Sequence, residues 1–223
     1  MRLIAHRGFA LTFPENTIFA LRAAADIADL VEIDVRRCGS GELVVIHDET
    51  VDRVTRARGR VSEFDLSTLR DLDVLDSGEP IPTLSEVFDA VPDAIGINVE
   101  LKEADTALEA LRIAAAAEND VLVSSFDLEA LTAARESHPS IPRALLFRGD
   151  PEIRLQQARE LNCVAVHPHY ETCTPDVVSR FHVAGFSVHA WTIEDAATAK
   201  RVADAGADGV IADRPDVLEN VAR

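Results

Sequence analysis

Downstream of about residue 90, short apolar runs alternate with stretches whose apolar residues recur at helical spacing. The runs at Ile95–Leu101, Val121–Ser125, Arg143–Phe147, Val164–His167, Ser187–Trp191 and Gly209–Ala212 predict strands. Between them, Ala104–Glu118, Leu128–Ser137, Pro151–Leu161, Pro175–Ala184 and Ile193–Ala205 predict helices, and Pro215–Val221 predicts a closing one. Local punctuation agrees: Pro151 and Pro175 stand where a helix opens, Thr174 is placed to cap, and Gly185 and Gly206 follow helix ends. Upstream, Arg2–Ala5 and Leu30–Val35 predict two more strands around a helix from about Thr17 to Ile27. Alternation of this kind implies parallel strands joined by right-handed crossovers. Eight β–α units in 223 residues predict a single (β/α)₈ TIM barrel; the competing arrangement is an open doubly wound sheet.

One segment interrupts the alternation. Gly39-Ser40-Gly41 predicts a turn, and Leu43–His47 an extra extended run, so Val35–His47 is expected to form a hairpin-like extension of the second strand. The charged stretch that follows, about 48–82, is expected to be a small insertion with a short helix near Ser67–Leu72. It is too short and too polar to be expected to build a core alone. Leu84–Ala90 then resumes the helices of the barrel. The expected organisation is one barrel unit over 1–223 with that insertion as an appendage.

Charge adds a second layer. Thirty-nine acids against 22 bases give −17, and lysine is limited to Lys102 and Lys200. Such a surface repels nucleic acid and anionic membranes, so neither is an expected partner. The acidic, lysine-poor balance matches proteins of halophiles, in which salt screens the mutual repulsion of solvated carboxylates. No apolar run approaches the roughly 18 residues of a membrane span. Arg2 leads directly into the first strand, so no cleavable leader and a cytoplasmic location are expected. Cys38, Cys163 and Cys173 show no zinc-ligand spacing and are expected to be free thiols.

Catalytic groups of a barrel gather at the C-terminal ends of its strands. The first strand runs into His6-Arg7. The next carries Glu32 and Asp34 two residues apart, and the one after it Glu100 and Lys102 at the same spacing, so each pair shares one face. His47 closes the extra run, and Trp191 and Asp213 end the last two strands. Three carboxylates in one mouth repel each other unless a cation joins them, and an all-oxygen donor set suits Mg²⁺ or Ca²⁺. Arg7 and Lys102 are suited to a phosphate. His6 and His47 titrate near neutrality and suit an acid and a base. The combination describes metal-assisted phosphodiester hydrolysis.

These residues also carry a resemblance. His6-Arg7-Gly8, Pro14-Glu15-Asn16-Thr17, Val31-Glu32-Ile33-Asp34-Val35 and the run from Val45 to Arg53 resemble the glycerophosphodiester phosphodiesterase family. Ile81-Pro82-Thr83-Leu84, Asn98-Val99-Glu100-Leu101-Lys102, Ser124-Ser125-Phe126-Asp127, Ala190-Trp191-Thr192 and Asp213-Arg214-Pro215 are similar to its later blocks. The likeness implies a barrel enzyme that cleaves deacylated phospholipids to glycerol phosphate and an alcohol with one bound divalent cation. It implies Glu32, Asp34 and Glu100 as metal ligands, His6 and His47 as the acid–base pair, and Arg7 and Lys102 as phosphate ligands. Trp191 is expected to pack the glycerol carbons, with Phe126 a weaker candidate for the same contact.

Other positions read differently. Glu15 and Asn16 are open to two roles, bracing of the helix start or contact with substrate or metal. Asp213 is expected to cap the helix opening at Pro215, and His167 and His169 to belong to loop structure. His138, His182 and His189 have no role beyond packing or solvent contact. A phospholipase C- or D-like action on intact lipid needs an apolar or basic rim, which the acidic composition opposes. A non-catalytic binding barrel has no need of both histidines. The expected partner is therefore a small glycerophosphodiester, with no stable membrane association. The halophilic composition predicts that the midpoint of chemical unfolding rises with KCl between dilute buffer and molar salt; an unfolding curve independent of KCl would contradict it.

Overall fold

A computed structural model describes residues 1–219. The chain runs β1 (Arg2–His6), α1 (Ile18–Ala25), β2 (Leu30–Arg37), β3 (Leu43–Val45), α2 (Leu66–Arg70), α3 (Leu84–Ala90) and β4 (Gly96–Leu101). It continues through α4 (Ala107–Ala114), β5 (Val121–Ser125), α5 (Leu128–Ser137), β6 (Arg143–Phe147) and α6 (Pro151–Glu160). It ends with β7 (Ala165–Pro168), α7 (Pro175–Val183), β8 (Ser187–Ile193), α8 (Ala196–Asp204) and β9 (Gly209–Ala212).

Parallel pairing passes from β1 through β9, β8, β7, β6, β5 and β4 to β2, and β2 pairs back onto β1. The ring is therefore a closed TIM barrel, not an open sheet. β3 lies outside the ring, antiparallel to β2, as the hairpin expected there. Register matters most near the first strands. His6 is level with Glu32, Glu32 with Asn98, and Asp34 with Glu100. Alternation then sorts the residues. Val31, Ile33, Val35, Ile97, Val99 and Leu101 join the helix-facing core with Leu21, Ala24, Leu84 and Leu111. Glu32, Asp34, Asn98 and Glu100 take the opposite face, the barrel interior, and are buried there.

Caps account for the helix starts. Thr17 accepts the Ala20 N–H, Thr174 the Val177 N–H, and Asp195 the Thr198 N–H. Several expected bounds shift. β8 extends to Ile193, and α8 begins only after the Asp195 cap. The stretch expected as a helix over Ala104–Glu118 opens with a 3₁₀ turn at Ala104–Thr106, and its α-helix ends at Ala114. Pro215–Leu218 is a 3₁₀ turn; the end of the closing helix expected over Pro215–Val221 lies outside the described residues. The insertion builds its apolar contacts jointly with the β2–β3 hairpin. Val51, Val54, Val61, Leu69, Val74 and Ile81 pack with Cys38, Val44 and Ile46 into a satellite core. Apolar residues spaced too irregularly for one helix or strand converge there because the segment folds back over β3. No helix among the described residues is long and apolar enough to cross a membrane.

The turn after β1 aims the first catalytic candidates. Arg7, Gly8 and Phe9 all have positive φ, so the chain reverses tightly and returns towards α1. At Gly8, with φ +77°, an added Cβ would lie 2.9 Å from the carbonyl carbon and the Cβ of Ala20. Backbone conformation and α1 together exclude a side chain. Gly8→Ala is expected to lower unfolding free energy by about 2–3 kcal/mol, read as a fall in Tm by calorimetry; a Tm equal to that of the parent would refute the close approach.

Candidate active site

At the C-terminal end of the barrel, Glu32, Asp34 and Glu100 each offer a carboxylate oxygen, all within 4.8 Å of one another. The three residues are buried, and the parallel register of β2 and β4, with Asp34 level with Glu100, brings them together from adjacent strands. Burial, then the charge of Asp34, pushes the Glu32 carboxyl up to about 8. Burial likewise raises Glu100. Asp34 goes the other way: burial opposes its charge, but Lys102 and Arg7 outweigh it and hold it well below the usual carboxylate range. A buried all-oxygen set carrying this repulsion could hold a hard divalent cation.

Two cations are fitted against the acids. Lys102 Nζ lies 2.6 Å from Asp34 Oδ1 and also pairs with Glu100. Arg7 Nε lies 3.1 Å from Asp34 Oδ2, and Arg7 Nη1 donates to Glu15 Oε1 at 3.1 Å. The Arg7 backbone N–H donates to Glu32 Oε2 at 3.0 Å. Asn16 Nδ2 donates to Asp34 Oδ2 at 2.9 Å, on the same oxygen that faces Arg7 and opposite the one held by Lys102. Asn16 therefore braces an acid of the cluster rather than a helix start.

Each histidine is paired through Nδ1 with an aspartate. His6 Nδ1 is 2.5 Å from Asp213 Oδ1, and His47 Nδ1 is 2.6 Å from Asp48 Oδ1. In both rings this leaves Nε2 as the nitrogen available for proton exchange. Their environments differ. Burial works against charge on His6, but Glu32 and the Asp213 hydrogen bond overcome it and raise the pKa. Burial, with Lys102 and Arg7 adding to it, holds His47 below its ordinary value against the pull of Asp34 and Asp48.

His6, Arg7, Glu32, His47, Glu100, Lys102, Phe126 and Trp191 line one cleft of about 60 Å³. A larger cavity of about 690 Å³ lies at the opposite end of the barrel around Arg2, Asn119, His189 and Asp208. It contains none of the clustered acids, so the smaller cleft is the candidate chemical centre. Trp191 forms one wall. Its Nε1 donates to the His167 carbonyl at 2.7 Å, and Phe126 meets the ring edge-on, with centroids 5.1 Å apart.

The model of the Glycerophosphoryl diester phosphodiesterase family matches residues 6–217. This chain belongs to that family. It is 34% identical to a glycerophosphodiester phosphodiesterase of Caldanaerobacter subterraneus subsp. tengcongensis, covering 99% of this chain and 97% of that protein. A solved structure of an Oleispira antarctica phosphodiesterase in complex with the product sn-glycerol-3-phosphate superposes with a TM-score of 0.91 at 30% identity, covering 98% of this chain and 95% of that one. The Thermotoga maritima glycerophosphodiester phosphodiesterase gives a TM-score of 0.86 at 28% identity, covering 100% and 98%. The enzyme class is that of a phosphoric diester hydrolase.

All eight residues singled out in this family member converge on one end of the barrel. Five residues around them, Asp213, His167, Glu15, Asp48 and Arg53, have places that the sequence reading did not assign. Asp213 does not cap the turn at Pro215. That N-cap position is Arg214, which makes no side-chain cap bond, and Asp213 binds His6 instead. β9 neighbours β1, and an acid just past the end of a strand adjoining His6 was the available signal. His167 is not loop structure: it stands on β7, wholly buried, with Nε2 3.2 Å from His189 Nδ1. Glu15, Asp48 and Arg53 form the third surprise. Arg53 donates to Glu15 at 2.5 and 2.8 Å and to Asp48 at 2.6 Å. A continuous chain thus runs from Arg7 through Glu15, Arg53 and Asp48 to His47. No periodicity links those positions; only the folding of the insertion does.

Glu15 is buried, which would raise its pKa, but Arg53 and Arg7 reverse the sign and lower it; Asp48 is lowered by the same balance against Arg53 and His47. Groups with depressed pKa values stabilise the fold above their unfolded values of about 3.9–4.3 and lose that contribution as the pH falls through the folded ones. Arg53→Gln should therefore lower unfolding free energy at pH 7 by about 1–2 kcal/mol. The gap from the parent should close as acid protonates both carboxyls. A gap that persists unchanged below the carboxylate range would refute the account.

Proposed function

We propose that the protein hydrolyses glycerophosphodiesters to glycerol phosphate and an alcohol in the cytoplasm. On this reading Glu32, Asp34 and Glu100 hold one Mg²⁺ or Ca²⁺, and His6 and His47 transfer protons. The single observation that carries it is the meeting of three buried carboxylates, two cations and two aspartate-paired histidines around one cleft. The donor set fits a hard cation by chemistry and by the repulsion that raises Glu32. When bound, the cation supplies Lewis-acid stabilisation of charge on phosphate oxygens.

The remaining chemistry belongs to side chains. Arg7 and Lys102 are neutralised by Asp34, Glu100 and Glu15. With Asp34 and Glu100 engaged by a divalent cation and Glu15 shared with Arg53, both positive charges are available to the diester phosphate. His47, held towards its neutral form, takes the proton of the attacking oxygen as that oxygen bonds to phosphorus. His6, held towards its protonated form, donates to the leaving alkoxide as its P–O bond breaks. The attacking oxygen belongs to water or to the substrate's glycerol hydroxyl, and ¹⁸O incorporation with a watch for cyclic phosphate distinguishes them. The cleft of about 60 Å³ suits a phosphate with short polar arms and not an acylated lipid.

Glycerol phosphate release from glycerophosphoglycerol and glycerophosphocholine tests the reading. Activity should vanish with chelator and return with Mg²⁺ or Ca²⁺, and Glu32→Gln should lose the calorimetric heat of metal binding while keeping its fold. His6→Ala and His47→Ala should each lower the rate by roughly 10²–10⁴. Turnover unaffected by either histidine change would sink the acid–base assignment, and no release from any diester would sink the reading as a whole.

A further inference from the structure

The cations around the active-site mouth are not all alike. Arg7 pairs with Asp34 and Glu15, Lys102 with Asp34 and Glu100, Arg36 with Glu103, and Arg53 with Glu15 and Asp48. Arg148 is the exception. It follows directly on β6 and so stands on a loop at the catalytic face. Its guanidinium lies over the Trp191 ring, 4.8 Å from the centroid, and it has no carboxylate in ion-pair range among the described residues. Arg112 on α4 and Arg159 on α6 are also exposed with no acid in ion-pair range among the described residues, but Arg148 is set on the aromatic wall of the cleft, and in a chain with a charge of −17 it brings a positive charge to that wall.

The wall that carries it is rigid. Trp191 is held by its bond to the His167 carbonyl, and Phe126 and His169 both meet the ring edge-on. The same indole lines the cleft with Arg7 and Lys102, so a path of aromatic surface joins the phosphate cradle to Arg148. The cleft of about 60 Å³ holds little more than the reacting phosphate, and Trp191 and Phe126 are the aromatic surface at its side against which a substrate arm could lie. One face of the indole is taken by a guanidinium. A quaternary ammonium arm, which would ordinarily seek that face, meets a like charge there instead.

We propose that Arg148 is a second phosphate site, and that the substrates favoured are diesters carrying another phosphate one short polyol unit away from the scissile one. The reacting phosphate lies on Arg7 and Lys102, the intervening carbons on Trp191 and Phe126, and the second phosphate on Arg148. The inference rests on the phosphodiesterase reading but concerns a residue outside the reacting centre. The second phosphate comes from a terminal monoester or from a further diester, and the chemistry presented to Arg148 is the same.

Binding and turnover test it separately. Glycerol 1,3-bisphosphate should bind the metal-loaded protein about tenfold more tightly than glycerol 3-phosphate, the scale of one charge-assisted contact. Arg148→Gln should bring that ratio to about one, Arg148→Lys should keep most of it, and added salt should reduce it. In turnover, kcat/KM for glycerophosphoglycerol phosphate and for bis(glycerophospho)glycerol should each exceed that for glycerophosphoglycerol, and glycerophosphocholine should be the poorest of the four. A preference for only the first or only the second identifies a monoester or a diester as the source. A binding ratio of one in the parent protein, or a ratio that Arg148→Gln leaves unchanged, overturns the site. Failure to hydrolyse any of the four overturns the phosphodiesterase reading, whatever the binding ratio shows.

Discussion

Three carboxylates buried together inside a closed barrel set the central electrostatic constraint on this protein. Burial and mutual repulsion push the Glu32 carboxyl up to about 8, so the cluster is unstable as three bare charges. Asp34 stays ionised only because Lys102 and Arg7 stand against it and Asn16 donates to it. The architecture around the cluster serves that balance. The Gly8 turn returns Arg7 towards the acids, and the two-residue spacing along β4 sets Glu100 and Lys102 on one face.

From that cluster the ion pairs extend outwards in an ordered way. Arg7 shares Glu15 with Arg53, Arg53 shares Asp48 with His47, and Arg36 donates to the His47 carbonyl at 2.9 Å. The insertion over β3 is thus tied to the barrel mouth by charge as well as by its satellite core. On the other side, Asp213 at the end of β9 orients His6. The two histidines approach the cleft from opposite elements, each held by an aspartate, and their surroundings push their proton affinities in opposite directions. Further polar groups are buried inside the barrel. Asn98, level with Glu32, and Ser124, level with Glu100, have side-chain polar atoms with no protein partner, and His167 and His189 bond to each other. Buried groups of this kind ordinarily take ordered water.

Much of this was legible in the sequence because the signals were local. Alternating runs and helical spacing gave the β–α count, and the Thr174 cap and the glycine stops placed helix ends within a few residues. The i, i+2 spacing of Glu32 and Asp34, and of Glu100 and Lys102, showed that each pair shares a face. Local rules also misled. An aspartate two residues before Pro215 looks like a cap, and scattered valines in a polar stretch do not show what they pack against. In both cases a partner far along the chain decided the outcome, His6 for Asp213 and Cys38, Val44 and Ile46 for the insertion.

By itself, then, the sequence determined the class of fold, the inventory of chemistry and which residues of each strand could face one another, since these depend on period and residue type within a short window. Only the tertiary structure decided which carboxylate meets which cation, that the insertion couples Arg7 to His47 through Arg53, and that Arg148 lies over Trp191 with no acid in ion-pair range among the described residues. Ion pairs between residues dozens of positions apart depend on distances that closure of the barrel creates, and no periodicity in the chain encodes those distances.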